Sequence, residues 1–292
     1  MRSAVITSGV IAIAALGVFE LRDTGSLRAI YRDLNQEMLD WKQSRALVPV
    51  DCPDKAFVIL ALGQSNAANH LGSREVSRDG APTFVSFRGR CAPLNDPVPG
   101  ATGSLGSLWP TLASKVSRQS GLPVVVIARA VGGSSTRDWS EDVRRIRSRA
   151  LRSVEAAIAV KLSPDAIIWI QGESDALATS AETYEEQLRQ VVASVDAAIG
   201  AAQARTGQGP KMPKWIISLT SRCRELNPLG SEAIREAQRR VATTMANAQV
   251  GPDTDALGDE FRRDGCHFND AGRAVLTDQL AAILARKIAS VN

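Results

Sequence analysis

Histidine is scarce in this chain: its 292 residues include two, His70 and His267, so any reaction that needs an imidazole base has two candidates. Cysteine is nearly as sparse. The four residues stand at positions 52, 91, 223 and 266, and none falls in a Cys-x-x-Cys pair. Those spacings argue against a structural zinc site, with or without the histidines. An even number allows two disulfides in three connectivities if the protein is exported; four free buried thiols are the alternative. Nor is there a surplus of charge of one sign, since 35 basic and 31 acidic residues leave a formal net charge of +4. The densest basic patch, Arg144, Arg145, Arg147, Arg149 and Arg152, carries no interleaved aromatics. It reads as an exposed helix face, and no nucleic-acid partner is expected. Repeats and low-complexity tracts are absent too. What remains is a chain that is 44% hydrophobic, enough for a sizeable core in one large domain.

The longest uncharged run, residues 3–19, follows Arg2. It sits at the lower limit for spanning a bilayer and also resembles the apolar region of a signal peptide. Its one small-x-small site, Ala12-Ile13-Ala14, falls inside the run, which favours an uncleaved anchor over a cleaved signal. Membrane association through this segment and an extracytoplasmic location are therefore expected. Leu27, Ile30, Tyr31, Leu34, Met38 and Trp41 then form an amphipathic helical stripe, closed off by Pro49 and Pro53. The expected organisation is a membrane anchor or signal over 1–23, an amphipathic helix and linker over 24–53, and one domain over 54–292.

Within that domain apolar strands alternate with amphipathic helices. Strands are expected at Phe57 to Leu62, Thr83 to Phe87, Pro123 to Ala128, Asp165 to Ile170 and Trp215 to Leu219. Helices are expected around Leu108 to Val116, from Glu141 to Val160, from Thr183 to Ala204, from Ser231 to Ala246 and from Asp270 onward. Thr179 with Glu182 has the spacing of a capping box for the third of these. The alternation implies a three-layer α/β/α sandwich with a parallel sheet. Between His70 and Gly106 the sequence turns irregular and rich in Gly, Pro, Ser and Arg, as binding loops often are.

Polar residues collect where the strands end, the edge at which open α/β sheets bind ligands. After the first strand comes Gly63-Gln64-Ser65-Asn66, which puts a hydroxyl at a sharp turn. After Ala128 comes Gly132-Gly133, whose backbone N–H groups can approach a substrate oxygen closely. After Ile170 comes Gln171-Gly172-Glu173, with a side-chain amide. Asp264 stands three residues before His267, close enough to curl back onto the ring and fix its tautomer. Each piece has a bland reading as a turn or cap; together they read as a serine, its base, an orienting acid and an oxyanion site.

The pattern resembles the SGNH hydrolases, an α/β class of flavodoxin-like architecture, and within them the carbohydrate O-acetylesterases that include sialate O-acetylesterases and acetylxylan esterases. Gly63-Gln64-Ser65-Asn66 is similar to that branch's nucleophile block, where other members carry Gly-Asp-Ser-Leu. Gln171-Gly172-Glu173 is similar to its third block, with glutamine in place of the usual asparagine, and Asp264 to His267 to its fifth. The resemblance implies Ser65 as nucleophile, His267 as base, Asp264 as orienter, and oxyanion donors from Ser65, Gly132 or Gly133, and Gln171. It implies no metal or organic cofactor and an acetylated saccharide as substrate. A lipase or thioesterase on the same scaffold is the alternative enzyme, and a non-catalytic membrane-tethered carbohydrate-binding module the alternative outside enzymes. Glu173 is a possible second acid, with a loop-holding role preferred. His70 reads as a polar pocket or surface residue, Arg129 and Arg222 as structurally paired, and Trp109 and Trp139 as core or rim rather than sugar platforms. A disulfide between Cys223 and Cys266 is expected because both lie on loops at the active edge.

Overall fold

A computed structural model of the protein describes residues 37–76, 80–143 and 145–289. The apolar run at 3–19 and the first part of the amphipathic stripe lie outside them. Two compact units divide the chain, Met1–Leu39 and Asp40–Asn292. Of the first, residues 37–39 are described and helical. The second carries all that follows. Among the described residues no helix is long and apolar enough to cross a membrane.

The second unit is built on a seven-stranded sheet of order β3-β2-β4-β1-β5-β6-β7. Its strands are β1 (Phe57–Gly63), β2 (Thr83–Phe87), β3 (Arg90–Pro93), β4 (Val124–Ala130), β5 (Ala166–Ile170), β6 (Lys214–Leu219) and β7 (Ala248–Asp253). Every neighbouring pair is parallel except β2 and β3, which are antiparallel. The central strands are buried along their whole length, as an apolar run covered on both faces must be. Helices α1 (Trp109–Ser120) and α6 (Asp270–Ala289) cover one face. The other face is covered by α3 (Ile146–Ala159), α4 (Ala181–Arg205) and α5 (Glu232–Thr244), with Trp139 of the short α2 (Thr136–Ser140). This is the three-layer sandwich.

Several local expectations change. Glu141 to Val160 is not one helix: a Ser135–Asp138 capping box starts α2 early, and left-handed residues at Asp142 and Arg145 separate it from α3. Arg149 is not on an exposed face. It falls on the same inward stripe as Ile146, Ala150 and Ser153, and is 5% exposed. Helix α4 is capped by Ser180, which accepts the Thr183 N–H, while the Thr179 hydroxyl turns to Asp175. Strands β3 and β7 were not expected. The first is the return arm of a hairpin turned by Arg88 and Gly89, both with positive φ, and the second contains a glycine and a proline that only an edge strand tolerates.

The segment before β1 is tied into the unit. Arg129, at the end of β4, is buried and ion-paired to Asp40 at 2.8 Å, and Gln43 bonds Gly100 and Ala101. Cys52 is disulfide-bonded to Cys91 of β3.

Candidate active site

Strand β1 is the point where the strand order reverses, with β4 on one side and β5 on the other. Register brings their ends level: Gly63 lies beside Ala130 and Ile170. The three loops that follow therefore leave the sheet at one place, the crevice where open α/β sheets bind their ligands. Gly63 has φ +138, and a Cβ there would come within 2.0 Å of the Ile170 carbonyl oxygen. Only glycine fits. The chain then enters a 3-10 turn, Ser65–Ala67, and the Ser65 N–H opens that turn, where a helix leaves its first amides unpaired.

The residues flanking Ser65 clamp its turn to the neighbouring loops. Gln64 Oε1 accepts from Gln171 Nε2, Gly172 N and Ser174 N at 3.2, 3.3 and 3.2 Å, fastening the turn to the loop after β5. Asn66 joins that same loop to the one that carries His267. Its Nδ2 donates to Glu173 Oε1 at 2.7 Å and to the Cys266 carbonyl at 3.2 Å, and its Oδ1 accepts the Phe268 N–H at 3.2 Å. Those last two contacts bracket His267. The serine and the histidine are thus held through one buried side chain, although some two hundred residues separate them in the sequence.

Asp264 accepts from the His267 backbone N–H at 2.7 Å and faces its Nδ1 at 2.8 Å, leaving Nε2 for another group. Partial burial raises the Asp264 pKa, but the His267 N–H, the imidazole and the Cys266 N–H outweigh it and hold the carboxyl down to about 2. The loop is fastened from behind. Arg262 donates to the carbonyls of Thr254, Leu257 and Cys266 and lies 4.6 Å from the Phe268 ring centroid. Cys266 is bonded to Cys223, so the disulfide at the active edge is present, and Arg224 N donates to the Gly265 carbonyl.

Two of the expected oxyanion donors already have partners within the protein. Gln171 is fully buried, and its Nε2 donates to Ser134 O, Asp175 Oδ2 and Gln64 Oε1. Its amide braces the site from beneath, because a buried side-chain amide takes the nearest fixed acceptors. The Gly132 N–H donates to Thr102 Oγ1 at 2.8 Å, so one amide of the glycine pair is capped by a hydroxyl; Gly133 has φ +65. Glu173 is 1% exposed and bonds Asn66, whereas the His267 Nδ1 is taken by Asp264. Burial pushes the Glu173 carboxyl up, with the Asn66 amide and the Arg262 charge opposing, and its Oε2 has no hydrogen-bond partner among the described residues. This places Glu173 under Asn66, the loop-holding role. Arg222 pairs with Asp259 at 2.8 Å, and Trp109 and Trp139 are completely buried, so no sugar stacks on them. Sequence reasoning missed Thr102 and the environment of His70. Part of the irregular stretch, Ala101 to Gly106, does return beside Asn69 and Leu71, bringing Thr102 to His70. No group of three or more His, Cys, Asp or Glu converges as a metal site among the described residues.

A hydroxyl at the end of the central strand and an Asp–His pair tied to it through Asn66, on a mostly parallel three-layer sandwich, make this crevice the candidate hydrolytic site. The particular family follows from comparison with known proteins. The model of the carbohydrate esterase family described as sialic acid-specific acetylesterase matches residues 104–286, which include Gly132, Gln171, Asp264 and His267. The chain belongs to that family. Solved structures share the fold. A protein of Arabidopsis thaliana is 17% identical, with a TM-score of 0.60 over 77% of this chain and 96% of its own. NanS is 16% identical, with a TM-score of 0.55 over 81% of this chain and 98% of its own. A Parabacteroides merdae protein described as a GDSL-like lipase is 15% identical, with a TM-score of 0.50 over 82% and 100%. No curated protein matches the chain.

Proposed function

We propose that the protein removes O-acetyl groups from a saccharide through an acyl-enzyme on Ser65. The observation that carries this is the Asp264–His267 pair, joined at 2.8 Å and bracketed by the same Asn66 that follows Ser65. In the first half-reaction the Ser65 oxygen bonds to the acetyl carbon while His267 Nε2 takes the hydroxyl proton. The tetrahedral intermediate collapses, the bond from carbon to the sugar oxygen breaks, and His267 returns the proton to that oxygen. Water repeats the sequence on the acetyl-serine, releasing acetate and restoring Ser65. Asp264 holds the ring and supports the imidazolium that forms twice. The developing oxyanion is met by the Ser65 N–H and by the Gly132-Gly133 segment, whose backbone Thr102 fixes through the Gly132 N–H. A lost donor of this kind typically costs about a hundredfold or more in rate.

Acetate release from a panel of acetylated polysaccharides and sialic acids, with p-nitrophenyl acetate as reference, tests the reading. Wild type releases acetate and its Ser65 is labelled by a fluorophosphonate. Equal rates for wild type and a folded Ser65→Ala variant would sink the serine mechanism, and activity that rises with acyl length would point to a lipase or thioesterase instead. We also propose that the domain works outside the cytoplasm, supported by its two disulfides and by the apolar run at 3–19. Native protein alkylated before reduction should keep all four cysteines unmodified. Free thiols in freshly isolated protein contradict that location.

A further inference from the structure

The second histidine of the chain stands inside the site, in contact with both of its halves. The His70 ring stacks on the His267 ring, with centroids 5.6 Å apart and planes 22° from parallel. Its Nε2 lies 3.3 Å from Thr102 Oγ1, the same hydroxyl oxygen that accepts the Gly132 N–H at 2.8 Å. The fit is close on this side. A Cβ on Gly132 would come within 3.0 Å of His70 Nε2, and one on Gly103 within 2.8 Å. With the Thr102 oxygen accepting from Gly132, we assign its own proton to His70 Nε2, the tautomer that carries the His70 proton on Nδ1.

We propose that His70 is a positioning residue for both halves of the reaction centre: its ring face keeps the His267 imidazole in line with Ser65, and its Nε2 holds Thr102 at the Gly132 amide. The proposal rests on the reading of Ser65, His267 and Asp264 given above. It requires a neutral His70. The face of a neutral aromatic ring within about 6 Å supports a cation, here the imidazolium that His267 becomes in each half-reaction, whereas a charged ring would oppose it. The surroundings favour the neutral form. Burial lowers the His70 pKa most, the charges of His267 and Arg263 lower it further, and Asp264 alone pulls it up. Thr102, Gly103 and Gly132, on the other side of the ring, carry no charge.

Three variants of the full chain separate the two contacts. His70→Gln keeps a polar acceptor and loses the ring face, His70→Phe keeps a face and loses the acceptor, and Thr102→Val removes the hydroxyl. The expectation for His70→Gln is a kcat about tenfold lower with KM little changed, as for a misplaced catalytic group. Its acid limb of kcat/KM moves to lower pH, because His267 loses support for its charge. His70→Phe restores the position of that limb but not kcat, and Thr102→Val shows the same kcat loss with the wild-type limb. With two histidines in the chain, the ring C2–H resonances assign themselves against His70→Gln, and the His70 resonance keeps its neutral position across the pH range of activity. Wild-type kcat and limb in all three variants, or a His70 that protonates within the pH range of activity, overturn the proposal. If His70→Gln does not fold by circular dichroism, His70→Phe and Thr102→Val decide alone. Ser65→Ala, assayed alongside, keeps the readings apart. A dead Ser65→Ala with unperturbed His70 variants sinks this inference only, and an active Ser65→Ala sinks the parent reading.

Discussion

The Ser65 turn and the Arg262–Asn269 loop meet at one site but are held by different means. The turn hangs from a strand that is buried throughout and hydrogen-bonded on both sides, so the Ser65 position is set by backbone geometry. The loop has no strand or helix of its own beyond one bridge, Arg262 to Phe268. Besides backbone bonds from Gly72 and Arg224, it is held by side chains: the Asn66 amide, the Arg262 guanidinium and the Cys223 sulfur. A sheet edge places one group firmly and cannot place two. The base and its acid sit where they do because distant side chains reach over and fasten them.

Substitutions that break this contrast should grade accordingly. Ser65→Ala is expected to lower kcat by about 10⁴-fold or more with Tm unchanged, since it removes chemistry and no support. A matching fall in Tm would mean the hydroxyl is part of the scaffold. Asp264→Ala follows, at about 10³-fold in kcat. The wild-type Asp264 carboxyl is held at about 2, so the stability it supplies is whole above its unfolded value of about 3.9 and is lost as pH falls through about 2. Asp264 therefore adds no proton to the acid limb of kcat/KM above pH 4, and a two-proton limb in a wild-type pH profile would contradict this.

Asn66→Ala removes the shared clamp and leaves the buried Glu173 carboxyl without its donor. We expect a loss of about 2–3 kcal/mol in stability and at least tenfold in kcat. If denaturant melts show the stability loss and turnover is normal, the clamp does not align the site. Reducing the disulfides, or Cys223→Ser with Cys266→Ser, frees the back of the loop. With the two cysteines separated by 43 positions in the sequence, the chain-entropy account gives about 4 kcal/mol of stability and, at temperatures where the fold persists, a fall of a few-fold in kcat is expected. An unchanged kcat would show that Arg262 and Asn66 suffice. Glu173→Gln is the mildest, because glutamine still offers an oxygen to Asn66; kcat should stay within about threefold. A collapse to the level of Asp264→Ala would make Glu173 a second acid after all.

The sandwich, the central strand and the Asp–His pair were legible because each is written locally, as a buried apolar run, a glycine after it, or a spacing of three. What was not legible depends on contacts between distant segments. Gln171 reads from position alone as an oxyanion donor, yet Asp175 and Ser134 capture its amide. His70 has no acid near it in sequence, and its partners Thr102 and His267 come from two other loops. Arg149 looks like one more surface arginine until the helix phase turns it inward. Edge strands β3 and β7 are short and carry turn residues, so neither periodicity nor propensity marks them.

The Arg129–Asp40 pair has a consequence for how the domain could be released from whatever precedes it. Both groups are buried, with side chains 6% and 5% exposed. A protease cutting between residues 40 and 53 would strip the counter-ion from a guanidinium enclosed in the fold, a loss of about 3–5 kcal/mol. Chain from Asp40 onward is then a structural strap, not a spacer. A shortened chain that keeps this pair must begin on the amino-terminal side of Asp40, and limited proteolysis followed by a melt of the product would locate that limit.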